Sequence, residues 1–237
     1  MTRPAGESRA GLSPLPALVA RYVERALEGA AESRPARVRL VQAGEMQLRP
    51  GGRALRFTAV EELAVERVAF EWRARFPLAP LVALTVVDRY AEGEGELRGR
   101  LLGVPVLGQR GPEISVGEAL RYLAELPWAP HAMRGNRELE WRELDEHAVE
   151  VATGVRGERV AVRLDFDDAG DVVRASCAAR PRPVGKSFVP TPWAGDFGGQ
   201  AQLGGTRVPT EAAVSWQLAE GPFVYWRGRI TGLQLAG

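Results

Sequence analysis

The sequence predicts a mainly β protein built on a single strongly curved antiparallel sheet, a half-barrel of about 11–12 strands, with an N-terminal helix and a central helix packed on its concave side. Three observations lead there. Apolar and polar residues alternate over residues 37–106 and again over 138–177, in short runs broken by Gly and Pro. Helical spacing occurs in two segments, one near the N-terminus and one in the middle of the chain. Towards the C-terminus, residues 214–218 and 223–230 flank Ala219-Glu220-Gly221-Pro222, a hairpin signature of two alternating runs around a turn.

Residues 1–12, rich in Gly, Pro and Arg, are expected to be a flexible lead, and residues 13–237 a single curved-sheet domain. Ser13 before Pro14 is a helix N-cap followed by Pro at the first helical position. Leu15, Leu18, Val19, Tyr22, Ala26 and Leu27 follow at helical spacing, and Gly29 ends the helix. Strands are then expected at 38–42, 46–48, 54–57, 65–72, 81–88, 96–102 and 104–106. Gly44, Pro50, Gly51, Gly52, Pro77, Pro80, Gly93 and Gly95 punctuate them, and with no helix between them they form a meander.

Ser115 and Glu118 have the spacing of a capping box, which starts a helix that runs through Ala119, Leu120, Tyr122 and Leu123 to Leu126 and stops at Pro127. Pro127-Trp128-Ala129-Pro130 makes a rigid aromatic corner, echoed by Pro192-Trp193-Ala194-Gly195. Strands resume at 138–142, 147–152, 159–166 and 172–177. Asp167-Asp168-Ala169-Gly170-Asp171 reads as a hairpin turn, since it lacks the alternating acids and distant Glu of a calcium loop. A stripe of helix can plug the open side of a partly closed barrel and leave an apolar cavity beneath it.

Composition narrows the function. Hydrophobic residues make up 45% of the chain, enough for a full core, and the net charge of +1 gives no nucleic-acid footprint. The basic residues are almost all Arg, mixed with acids, and read as solvated surface; Lys186 is the single lysine. One cysteine, Cys177, excludes an internal disulfide. No apolar signal core and no run of membrane-spanning length is present, so a cytoplasmic protein without an integral membrane segment is expected. There is no phosphate loop, nucleophile elbow or zinc-protease motif, and Gly93-Glu94-Gly95 lacks the spacing of a dinucleotide loop. His131 and His147 are the only histidines, too few for a zinc site without Cys177 and acids brought in from elsewhere, and neither metal nor cofactor is expected.

The residues themselves nominate a pocket. Asp88 and Tyr90 share one face of a strand, as do Arg180 and Arg182. A buried Asp88, or Glu140 beside Trp141, would have a raised pKa and could act as acid or base, with Tyr90 or Tyr225 donating a hydrogen bond. Arg180 and Arg182 are positioned to hold a polar head group. Trp72 and Trp216 are expected in the core, whereas Trp128, Trp193 and Trp226 are expected at the pocket rim, and Trp141 and Tyr225 join them as ligand-binding residues. Two functions fit: binding of a hydrophobic or lipid-like small molecule, or a cofactor-independent enzyme of cyclase or isomerase type in the same cavity. The third option is a structural protein with a filled interior.

Several segments taken together resemble a known group. They include Asp88-Arg89-Tyr90 with Gly93-Glu94-Gly95, Glu125-Leu126-Pro127-Trp128, Thr191-Pro192-Trp193, Gly205-Thr206-Arg207-Val208-Pro209 and Tyr225-Trp226-Arg227-Gly228. The chain is similar, over nearly its whole length, to a bacterial family defined only as a domain of unknown function. That resemblance implies no activity, but it places Asp88, Tyr90, Trp128, Trp141, Arg180, Trp193, Trp216 and Tyr225 in the shared pattern. The chain departs from it at Gly198-Gly199-Gln200, where relatives carry an aromatic. The layout is also similar to the unclosed barrel of lipoprotein-carrier proteins.

Overall fold

In the computed structural model, which describes residues 15–29 and 34–237, thirteen antiparallel strands form one curled sheet. The first helix, α1 (Ala17–Ala26), is followed by β1 (Arg37–Met46), β2 (Leu55–Ala64), β3 (Phe70–Ala79), β4 (Val82–Ala91), β5 (Glu94–Leu101) and β6 (Val104–Arg110). Then come α2 (Pro112–Ala124), a single 3-10 turn (Leu126–Trp128) and α3 (Pro130–Gly135). The second half holds β7 (Glu140–Asp145), β8 (Ala148–Val155), β9 (Glu158–Phe166), β10 (Val172–Val184), β11 (Ser187–Leu203), β12 (Thr206–Leu218) and β13 (Gly221–Ala236).

The spatial order is β6-β5-β4-β3-β2-β1-β13-β12-β11-β10-β9-β8-β7. Each half is a meander, and the C-terminal strand joins the two halves by pairing with β1 from Arg37↔Ala236 to Met46↔Trp226. The half-barrel expected from the alternation is therefore present, with one more strand than its upper count. The difference is one of boundaries. Met46 ends β1 and residues 47 and 48 begin the connection to β2 instead of forming a strand, residues 65–69 link β2 to β3, and Pro77 lies within β3 beside a bulge.

The longest strand, β11, is absent from the strands expected from sequence, because it carries Pro190, Pro192 and several glycines. Its pairing explains how it tolerates them. β9 pairs with β10 only as far as Ser176, and β12 pairs with β11 only from Trp193 onward. Beyond those points β10 and β11 pair with each other alone, with Pro181 opposite Pro190, so each strand has one unpaired side where a missing N–H costs nothing. The result is a two-stranded arm that carries Arg180 and Arg182.

The helices pack on the concave face. α1 buries Val19, Tyr22, Val23 and Ala26, and the Tyr22 hydroxyl donates to the Pro127 carbonyl at 2.8 Å. Ser13 and Pro14 lie outside the described residues, as does the 1–12 lead; within them α1 begins at Ala17 after Pro16. α2 starts one turn earlier than the capping-box spacing indicates, with Gly111 as its cap and Pro112 at its first position. Ser115 is inside the helix, where its hydroxyl donates to the Gly111 carbonyl and accepts from the Gly95 N–H at 2.9 Å. That contact needs glycine, since a Cβ at Gly95 would meet the Ile114 carbonyl oxygen at 2.9 Å. The Asp167 turn is the hairpin expected, closed by Asp167 N–H to the Asp171 carbonyl at 3.0 Å. Among the described residues no helix is long and apolar enough to cross a membrane.

Candidate functional site

A cavity of about 410 Å³ lies between α2 and the concave sheet. Its walls are aromatic. Trp72 and Phe76 come from β3, Trp128 from the corner after α2, Trp193 and Phe197 from β11, Trp216 from β12, and Tyr225 with Trp226 from β13. The alternation of a strand explains Trp72 with Phe76 and Trp193 with Phe197, each pair four residues apart on one face, whereas Tyr225 and Trp226 are adjacent and both reach the cavity where the β12–β13 register shifts between Val214 and Ser215. Trp72 is a cavity wall as well as core, and Trp216, expected in the core, is the more open of the two. Trp128, expected at the rim, is 3% exposed and fixed by its indole N–H, which donates to the Pro209 carbonyl at 2.9 Å.

One wall is polar. Arg121, on the cavity side of α2, donates to Asp88 Oδ2 at 2.7 Å, Glu61 Oε1 at 2.8 Å and Glu125 Oε1 at 2.8 Å. Glu61 is held further by the Gln42 amide at 2.6 Å, and Gln42 in turn accepts from the Trp72 indole at 2.8 Å. Glu118 lies one turn before Arg121 and beside Asp88. Burial first, and then the neighbouring Asp88 charge, push the Glu118 carboxyl well above the usual carboxylate range. Burial and then Glu125 do the same to Glu61. Asp88 Oδ1 and Glu118 Oε2 are buried without a hydrogen-bond partner. The cluster thus sets Glu61, Asp88, Glu118 and Glu125 against Arg121 and the nearby Arg180. Neutrality follows when Glu61 and Glu118 keep their protons, which is the direction burial drives them.

Arg180 is different from Arg121. Its guanidinium stacks 4.7 Å from the Trp193 ring and 5.9 Å from the Trp216 ring, and the residue is 8% exposed. Among the described residues it forms no ion pair and no side-chain hydrogen bond. A bulge between Cys177 and Arg180 re-aims the strand, so that both face inward although they lie three positions apart. Beside it, the Tyr225 oxygen accepts the Trp193 indole N–H at 3.0 Å, leaving the phenol proton free to donate into the cavity. Burial raises the Tyr225 pKa, which keeps that proton in place.

Of the residues nominated from sequence, Asp88, Trp128, Arg180, Trp193, Tyr225 and Trp226 come together here. Four do not. Tyr90 is buried below Asp88, away from the cavity. Glu140 is exposed on the edge strand β7 and pairs with Arg159 at 3.3 Å, and Trp141 is half-buried on the same strand. Arg182 turns from the cavity to donate to the Thr191 hydroxyl at 3.2 Å. Cys177 is half-buried on β10, His131 is buried on α3 and His147 is exposed in the β7–β8 turn. Sequence reasoning missed Glu61, Glu118, Arg121 and Glu125. A signal existed on α2, where Glu118, Arg121 and Glu125 fall at i, i+3 and i+7, but that pattern equally describes a solvated face with an i,i+4 ion pair.

Fold and site together define a half-barrel whose aromatic cavity meets a buried cluster of carboxyl groups around Arg121. The chain belongs to a family of unknown function, DUF6544, whose profile matches residues 7–228. No curated protein matches it in sequence. Its layout is similar to three solved structures, each at 10% identity. A LolA superfamily protein from Nitrosomonas europaea has a TM-score of 0.46 and covers 92% of this chain and 94% of its own. An outer membrane lipoprotein-sorting protein domain from Vibrio parahaemolyticus has a TM-score of 0.49, with 92% and 90% covered. A DUF1329 family protein from Desulfovibrio piger has a TM-score of 0.46, with 92% and 90% covered.

Proposed function

We propose that this protein binds an amphipathic small molecule, with its apolar part against the tryptophan walls and an acidic or oxygen-rich head at Arg180 and Tyr225. The observation that carries this reading is the unpaired Arg180 guanidinium at the wall of an apolar cavity. Among the described residues no carboxylate contacts it directly, Glu118 acting on it only through space, so a bound carboxylate or phosphate would supply the charge-assisted hydrogen bonds that the guanidinium lacks. The volume of about 410 Å³ falls within the ~300–1,000 Å³ range of small-molecule sites. The tryptophans supply flat, rigid surface for a chain or ring.

Native mass spectrometry of protein from its own host, followed by denaturing extraction, tests the occupant directly; a stoichiometric acidic amphiphile is expected. Tryptophan fluorescence then tests the head group. A long-chain carboxylate should quench strongly and the alcohol of equal length weakly, and Arg180→Gln should cost the carboxylate about 10- to 100-fold in affinity, the range for a hydrogen bond to a charged group. Equal binding of acid and alcohol by both proteins would remove Arg180 from the site.

A second reading rests on Asp88 and Glu118, whose adjacent carboxyls leave two oxygens unpartnered in the polar wall. In it, the pair acts as a cofactor-independent acid and base on the bound molecule. Turnover of the extracted ligand that is lost in Glu118→Gln, with affinity retained, separates it from simple binding.

A further inference from the structure

The apolar residues left on the surface are not scattered. Leu48, Leu78, Leu81, Leu102, Val104, Val106, Leu107, Val184 and Val189 are the exposed large hydrophobics among the described residues. They lie in four connections, β1–β2, β3–β4, β5–β6 and β10–β11, or on the strand ends that flank them. An antiparallel meander returns every second turn to the same end. The β1–β13 and β11–β12 pairings carry that end across to the β10–β11 arm. The cavity links them, since Leu48 in the first of these connections, and Leu107 and Phe188 on strands flanking two others, are part of its lining. The helices occupy the other end, where Ser115 meets Gly95 at the start of β5 and the Tyr122 hydroxyl donates to the Ala64 carbonyl at the end of β2. The half-barrel is therefore plugged at one end and has an apolar rim at the other.

Two rim residues are costly by their backbone as well. Leu81 has φ of 65° and is 95% exposed, and Leu102 has φ of 50° and is 66% exposed. Left-handed turn positions favour Gly, Asn or Asp. A leucine there serves neither the turn nor the core, which points to a use outside the folded chain. The charge of the rim is one-sided. Arg49, Arg53, Arg100 and Lys186, the single lysine, are exposed in the same connections and form no ion pair among the described residues. Residues 47–54, 78–82, 100–107 and 182–189 contain no Asp or Glu, although the chain as a whole is balanced at 31 basic to 30 acidic residues. The β12–β13 turn at this end does carry Glu220, but no exposed large hydrophobic.

We propose that this rim docks on an anionic lipid bilayer, with the leucines and valines set among the head groups and the four cations against the lipid charges. The chemistry fits an interfacial surface, apolar side chains for the acyl boundary and basic ones for the anionic plane. A second copy of the chain fits less well, because an isologous contact would bring the cations of both rims face to face. The docked cavity mouth would open onto the membrane, giving an amphiphile a path that avoids water. The docking itself does not depend on what the cavity holds.

Co-sedimentation of the full chain with vesicles tests it. The wild type is expected to pellet with vesicles containing phosphatidylglycerol, to stay in the supernatant with phosphatidylcholine alone, and to release as salt rises. Leu81→Asn with Leu102→Asn suits both turns, so the melting temperature should hold or rise while pelleting falls. Fluorescence titration of the cavity with a long-chain carboxylate should be unchanged in this variant, which separates rim from cavity. Lys186→Glu with Arg49→Glu, both on exposed turns, should weaken partition at least ~25-fold, at about fivefold per charge. A wild type that ignores anionic vesicles overturns the proposal. So does pelleting indifferent to both variants, or a vesicle-free dimer that the leucine variant dissociates.

Discussion

Arg121 Nη1 donates to Asp88 Oδ2 at 2.7 Å, while the other Asp88 oxygen is buried without a partner next to Glu118. Arg121 thereby ties α2 to two strands through one side chain, for the same guanidinium also holds Glu61 on β2. Its ring neighbours, Phe70 at 4.8 Å and Trp72 at 5.1 Å, add cation–π attraction in a water-poor setting.

Replacing Arg121 by Met should destabilise the protein by about 3–5 kcal/mol, the range for leaving buried charges without their partner. At roughly 2–4 °C per kcal/mol for a chain of this size, the melting temperature falls by roughly 6–20 °C. Arg121→Lys retains the charge but reaches fewer carboxyls, so it should recover only part of the loss. Asp88→Asn, which removes one ionic partner and none of the fork to Glu61 or Glu125, should cost less than Arg121→Met. A scanning-calorimetry series that ranks Asp88→Asn as the more damaging would place the load on Asp88 instead.

The same cluster sets the pH dependence of stability. Glu61 and Glu118 have folded-state pKa values raised well above 4.5, so above pH 4.5 the unfolded chain releases protons that the folded chain keeps. Stability then falls as pH rises, by up to about 1.4 kcal/mol per pH unit for each group, until the folded pKa values are passed. Asp171 works in the opposite direction and lower down. The Arg207 hydrogen bonds hold its carboxyl below 3.8, so the stability it contributes is present at neutral pH and lost as pH falls through that range. The curve of melting temperature against pH should therefore peak on the mildly acidic side and decline towards neutral and alkaline pH. Glu118→Gln, neutral at every pH, should flatten that decline. A wild-type curve level from pH 5 to 8 would show that neither carboxyl keeps its proton.

Asp171 supports a second prediction of its own. It accepts from Arg207 at 2.5 and 2.8 Å and from Arg25 at 2.5 Å, tying α1 and β12 to the β9–β10 turn. Asp171→Asn should cost about 1.5–3 kcal/mol, the range for hydrogen bonds to a charged group. Because the arginines remain partly exposed, they can return to water, and the loss should stay below that of Arg121→Met. Chemical denaturation of the two variants side by side gives the comparison.

What the sequence disclosed and what it hid have physical reasons. Periodicity of two is a property of each strand alone, so β4, β9, and the β12–β13 hairpin could be read from their own residues. The tryptophans could be nominated because a large flat side chain must find a wall somewhere. By contrast, β11 looked broken because its prolines are tolerated through the absence of neighbours, a feature of the sheet and not of the strand. Glu61 fell between the strands expected at 54–57 and 65–72, and only the continuous β2 and the curl of the sheet bring it beneath Arg121. Tyr90 and Asp88 share a face, yet the cavity reaches only one of them, and its depth is set by where α2 lies. Arg182 failed for a related reason: it shares a face with Arg180 but lies two residues further out on the arm, where its guanidinium bonds Thr191 instead of reaching the cavity.

The Trp226-Arg227-Gly228 segment has a steric explanation that can be tested alone. Trp226 and Gly228 are two residues apart on β13 and share a face, and a Cβ built at Gly228 would overlap the Trp226 indole. The indole lies across the glycine, packed 5.8 Å from the Phe57 ring and 6.3 Å from the Trp128 ring, and it forms part of the cavity wall. Gly228→Ala adds one methyl group where the strand conformation itself accepts alanine, so any cost arises from moving Trp226. That cost should be about 1–3 kcal/mol, as for overpacking elsewhere. Because the displaced ring is a cavity wall, the variant should also lose affinity for an apolar ligand and show a changed near-ultraviolet circular dichroism signal. If Trp226→Leu is made in the same chain, the clash is gone and Gly228→Ala should become nearly neutral, a coupling that a double-mutant cycle measures. Additive losses in that cycle would mean that the glycine is required by something other than the tryptophan laid across it.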